Sequence, residues 1–126
     1  MVPEMVEEKV DVVEKINRNE TVEAISVNYE ENGILLVKEI KKEILSRGAW
    51  ATVMFLYQEY DRANSSYKPP KISLRRYQKK NGNYIQRSKF SISGEKQAGL
   101  ISQKISDWYR EFGGVVAGGS SDDAEA

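Results

Sequence analysis

The chain has 126 residues, enough for one domain with a modest core and short extras. It contains no cysteine and no histidine, which excludes disulfides and thiolate chemistry and removes the commonest general base and metal ligand. The formal net charge is zero but the charges are segregated: residues 1–32 balance to minus six, 33–112 to plus nine and 113–126 to minus three.

No apolar run approaches the roughly 20 residues that cross a bilayer. The start MVPEMVEEKV also lacks the basic-then-apolar pattern of a signal peptide, so a soluble, intracellular protein of the cytoplasm or nucleoid is expected. Pro3 suits the first turn of a helix, with Glu4, Glu7 and Glu8 at its positive end. Val6, Val10 and Val13, flanked by Met5, Val12 and Ile16, extend an apolar helical stripe to about Asn17. Thr21 to Tyr29 fits either period and leans to helix, stopped by Asn32-Gly33, so residues 1–33 read as an acidic, mostly helical extension.

Ile34 to Leu45 is again compatible with helix or strand. The segment Ala49 to Tyr60 after it is the clearest strand in the chain, and a hairpin partner for it favours a strand over residues 36–45. Residues 61–70, DRANSSYKPP, form a loop because Asp, Asn, Ser and two prolines cannot continue a ladder. Lys71 to Ser93 then reads as two amphipathic strands around Asn81-Gly82-Asn83. A three-residue loop pairs Ile72 with Ile92, Leu74 with Phe90 and Arg76 with Ser88 on an apolar face, and Tyr77 with Arg87 and Arg75 with Lys89 on the other. A two-residue Asn-Gly turn preserves this pattern only with a bulge elsewhere.

Ser93 is expected to cap a helix on which Ala98, Ile101, Ile105, Trp108 and Phe112 form one apolar stripe, for core or dimer packing. Gly113-Gly114 ends it, and residues 114–126 form an acidic tail expected to be disordered. The fold class is therefore α+β: a four-stranded antiparallel curved sheet followed by one long amphipathic helix, occupying residues 34–113 behind the N-terminal extension.

Between Arg62 and Lys89 there are nine basic residues and no acid. A run of cations on a strand is commonly a solvated face or a guard against edge-to-edge pairing. Its interleaving with Tyr67, Tyr77 and Tyr84 instead suits a nucleic-acid surface, which needs cations for phosphates and rings for bases. The candidate contacts are Arg75, Lys79, Lys80, Arg87 and Lys89 for phosphate, and Tyr77, Tyr84 and one of Trp50 or Tyr57 for stacking. Seven residues separate Trp50 from Tyr57, so a regular strand puts them on opposite faces. For Trp50 a place in the core is the competing reading. Arg76, on the apolar face, is expected to snorkel or to pair with Asp107.

No enzymatic constellation emerges. Glu59 and Asp61 lack a neighbouring nucleophile or metal ligand set, and no phosphate-loop or dinucleotide fingerprint occurs, so no catalytic residue, metal or cofactor is expected. The Asp-Asp-Ala-Glu-Ala terminus could compete with nucleic acid for a basic surface or recruit proteins.

The strand Ala49 to Tyr60, the PPKISLRRY…KFSIS hairpin and the helix opening after Ser93 together resemble the positive cofactor 4 family of transcriptional coactivators. The similarity covers residues 36–112, with Whirly and Pur proteins as distant cousins. The acidic N-terminal stretch departs from the Ser- and Lys-rich leader of the eukaryotic member. The resemblance implies a homodimer, formed through helices and adjoining strands, whose curved sheets hold single-stranded DNA. Arg75, Tyr77, Lys79, Arg87 and Lys89, with Trp50 or Tyr57, would line the binding face. The expectation is sequence-independent binding of single-stranded DNA or RNA in transcription or DNA maintenance. The alternatives are an interaction module whose basic face meets an acidic protein, and a small duplex-binding architectural protein.

Overall fold

The computed structural model describes residues 19–113. The expected N-terminal helix and the acidic tail lie outside the described residues. Those described form a curled antiparallel sheet followed by one helix, an α+β arrangement. The strands are β1 (Tyr29–Glu31), β2 (Ile34–Ser46), β3 (Trp50–Asp61), β4 (Ser66–Tyr67), β5 (Lys71–Lys80) and β6 (Asn83–Ile92); the helix is α1 (Glu95–Glu111). The sheet order is β1-β2-β3-β5-β6, with β4 paired to β3. The four expected strands are thus joined by two short ones. No helix among the described residues is long and apolar enough to cross a membrane.

Residues 21–29, read from sequence as leaning to helix, make only one 3-10 turn at Val22–Ala24 and then run extended into β1. Tertiary burial overrides the helical spacing here, because Val22, Ile25 and Val27 pack onto the sheet. Asn32-Gly33 therefore stops no helix. With φ of 53° and 82° it forms a two-residue hairpin turn between β1 and β2, the conformation that Asn and Gly adopt at least cost.

Pairing between β3 and β5 is regular, with Ala51 opposite Tyr77, Val53 opposite Arg75 and Phe55 opposite Ser73, and this fixes two faces. The inner face carries Ala51, Val53, Phe55, Tyr57, Ser73 and Tyr77, all buried. Segment 19–28 lies across it, and Val22, Ile25 and Val27 complete the core. Residues 22–27 therefore share one core with the sheet, although the sequence reading assigned them to a separate extension. The Lys42 ammonium fastens the segment by donating to the carbonyl oxygens of Val22 (2.7 Å), Glu23 (2.8 Å) and Ile25 (2.7 Å). Glu39 accepts from Ser26 Oγ at 2.8 Å, its amide donates to Asn28 Oδ1 at 2.7 Å, and Arg47 pairs with Glu23.

The outer face carries Trp50, Thr52, Met54 and Leu56 on β3 and Ile72, Leu74, Arg76 and Gln78 on β5, none of them buried. Only the start of α1 lies beside it, where Gly94, Glu95 and Ala98 line a small cleft with Leu56, Pro70, Ile72 and Ile92. Ser93 does not cap the helix through its hydroxyl. Gly94 is the N-cap, and Gln97 Oε1 reaches back to accept from the Ser93 amide (2.9 Å) and hydroxyl (3.1 Å). Further along, α1 buries nothing: Ile101 is half-buried, while Ile105, Trp108 and Phe112 are exposed, Trp108 by 61%.

Candidate nucleic-acid interface

The β5–β6 hairpin carries most of the acid-free run. Its apolar register agrees with the sequence reading, pairing Ile72 with Ile92, Leu74 with Phe90 and Arg76 with Ser88. The turn does not. Lys80 pairs with Asn83, so Asn81-Gly82 is a two-residue turn with φ of 54° and 84°. The missing residue is made up by a bulge at Arg87: Tyr77 faces Gln86, not Arg87, before the register resumes at Arg76 and Ser88. The bulge swings Arg87 to the outer face, where its Nε donates to Gln78 Oε1 at 3.0 Å.

The expected binding residues consequently do not share one exposed surface. Tyr57, Tyr77 and Tyr84 are buried, the first two beneath segment 19–28. Burial raises the Tyr77 phenol above its ordinary value, with the neighbouring Arg75 cation opposing. Tyr84 is a structural latch, its hydroxyl donating to the Gly48 carbonyl at 2.6 Å and so tying the hairpin to the β2–β3 turn. Arg75 stays on the inner side, half-buried, with Nε on Ser73 Oγ and a terminal N–H on Gln86 Oε1, both at 3.0 Å. Lys89, opposite Arg75, is exposed at the margin of that face.

A different group comes together on the outer face near the turn. Trp50, 41% exposed, stands opposite Gln78, and the Arg76 guanidinium lies 4.8 Å over its ring centroid. Arg76 therefore meets a ring and not Asp107, which pairs with Arg110 at 3.0 Å. Arg87 joins through Gln78, and exposed Lys80 shares the face by register, while exposed Lys79 flanks the turn over the Tyr84 ring at 5.5 Å. Trp50 and Tyr57 do lie on opposite faces, as their spacing implies, and Trp50 is the accessible one. The sequence reading missed Arg76 and Gln78 as members of this group. Their alternation with Tyr77 was the available signal, once the inner face is known to be covered.

The cations differ in how far they are neutralised. Arg62 pairs with Glu31 at 3.4 Å and Lys71 with Glu59 at 3.0 Å, a bond that holds the Lys71 ammonium above its ordinary value. Arg75, Arg76, Lys79, Lys80, Arg87 and Lys89 meet no carboxylate among the described residues. Nor does any cluster of acidic side chains among them suit a metal ion. No protein-family model, curated protein or solved structure matches this chain.

Proposed function

We propose that this protein binds single-stranded nucleic acid, DNA foremost, through the outer face of the β5–β6 hairpin near its turn. The observation that carries the reading is the Trp50–Arg76 stack, an accessible indole sharing its face with Arg76, Lys80 and Arg87, with no carboxylate neutralising these three among the described residues. Cations that follow phosphates and a ring that accepts a base are what sequence-tolerant single-strand binding requires. Membership of the positive cofactor 4 group and a role in transcription or DNA maintenance belong to the same proposal, resting on the four long antiparallel strands β2, β3, β5 and β6 followed by one helix, and on the basic hairpin.

The exposed stripe Ile105, Trp108 and Phe112 supports a homodimer as part of this reading. A 17-residue helix that buries no side chain is marginal in water, and on the outer face Met54 and Leu74 are only half-buried and Phe90 is exposed. A second copy of the chain supplies a partner for both surfaces.

Titration with single-stranded DNA, single-stranded RNA and duplex of equal length, at two salt concentrations, tests the function. Single strands should bind more tightly than duplex, quench tryptophan fluorescence and lose affinity as salt rises. Equal affinity for duplex, or no salt dependence, would overturn the reading.

A further inference from the structure

We propose that Trp50, Arg76, Gln78 and Arg87 form a single-nucleotide subsite, which stacks one unpaired base on the indole and holds an adjoining phosphate in the Arg87 fork. This rests on the reading above and adds that each chain stacks one base of the bound strand.

The indole has two sides. Toward β5 it meets the Arg76 guanidinium, 4.8 Å from its centroid. Toward β2 no residue of the sheet stands opposite, because the β2–β3 pairing ends at Ser46 and Thr52. That open side suits a flat, apolar-faced group, and nucleobases stack on indoles beside guanidinium planes. Arg76 then serves as the rear layer, its charge drawing the strand in while its plane keeps the ring upright.

One strand across, the Gln78 carbonyl oxygen fixes Arg87 through Nε at 3.0 Å. Its two terminal nitrogens remain as a fork, the geometry that matches a pair of phosphate oxygens. Trp50, Gln78 and Arg87 stand on three successive strands about 4.8 Å apart, and the bond to Gln78 draws the long Arg87 side chain back toward the indole, within reach of a phosphate adjoining a base stacked there. The other rings of the central strands offer no second platform at this end. Phe55, Tyr57, Tyr77 and Tyr84 are core residues, exposed Phe90 stands opposite Leu74 toward the end of the hairpin away from the turn, and Tyr60 and Tyr67 pack edge-to-face on each other, 5.2 Å apart, at the far end of β3.

The experiment compares three short strands of equal length and charge: all-thymine, all-abasic, and abasic with a single central thymine. The full-length chain should bind all-thymine about 5- to 150-fold more tightly than the abasic strand, and single-thymine should fall between the two, below all-thymine by less than the number of binding registers the strand offers. Trp50→Leu should bring all three to the affinity of the abasic strand, and Trp50→Phe should restore part of the difference. Since Trp50 lies outside the core, both variants should keep the far-ultraviolet circular dichroism of the parent. The subsite is overturned if based and abasic strands bind equally, if all-thymine outbinds single-thymine by more than the number of registers, or if Trp50→Leu keeps the ratio. Failure of every strand to bind would overturn the parent reading and this one together, whereas any of the former results leaves nucleic-acid binding standing.

Discussion

The Lys42 ammonium lies 2.7 Å from the Ile25 carbonyl oxygen, across the inner face of the sheet from the chain's own hairpin. With the Val22 and Glu23 carbonyls it spends all three N–H donors on segment 19–28. Burial pushes this ammonium below its ordinary value, with the Glu39 and Glu23 carboxylates opposing. Lys42→Met keeps the stem but strips the partner from the partly buried Val22 and Ile25 carbonyls and from the exposed Glu23 carbonyl. A loss of about 1–3 kcal/mol in urea denaturation is expected. An unchanged midpoint would mean that Val22, Ile25 and Val27 hold the segment unaided.

Because that segment covers the inner face, the two sets of hairpin cations should behave differently. Lys80→Ala with Arg87→Ala removes outer-face charges, and the slope of log affinity against log salt should become shallower by about 0.7 per lost contact. Arg75→Ala with Lys89→Ala removes the same charge from the inner side and should change the slope by less. Filter-binding isotherms over a salt series decide between them. The reverse ranking would return the interface to the face that segment 19–28 covers.

Much of this architecture is legible in the amino-acid sequence. The long strand from Trp50, the apolar pairs Ile72–Ile92 and Leu74–Phe90, and the stripe on α1 all follow from simple periods of two and 3.6. The cover on the inner face is not, because Val22, Ile25 and Val27 are spaced by three and then two, fitting neither period. Their placement depends on the distant Lys42 and Glu39. Nor can the side of Arg87 be read from alternation. One residue of turn length, absorbed by a bulge, moves it to the opposite face while leaving the apolar pairs intact. The binding residues were therefore recognisable as a composition, a cationic and aromatic hairpin, but not as a surface.

Tyr77 gives the covered face a signature in pH. Its phenol is raised above the ordinary 10.0, chiefly by burial. The native state therefore keeps this proton where the unfolded chain loses it. The contribution is complete below the unfolded value and is lost as pH rises through the folded one. Stability should accordingly fall above about pH 10, and Tyr77→Phe should make that fall shallower. Lysine titrations are common to both proteins, so the difference between their urea midpoints across the alkaline range isolates the tyrosine. Parallel curves would mean that the ring is wetter than its 5% exposure implies.

The last expectation concerns α1, whose apolar residues Ile105 and Trp108 and C-cap Phe112 all face solvent in the single chain. Helix formation is cooperative with a costly nucleus, so 17 residues without tertiary packing hold their conformation only weakly. If a second copy covers the stripe, assembly and helicity are linked. Trp108→Asp places a charge in the contact and should both halve the sedimenting mass and lower the helical circular dichroism signal. The sheet should survive, because its core of Val53, Phe55, Tyr57 and Tyr77 contains no α1 residue. At the same position Trp108→Leu retains apolar area and should leave the mass near that of the dimer. A wild-type chain that sediments as a monomer with a fully formed helix would remove the second copy from the account, since α1 would then stand without the packing its sequence demands.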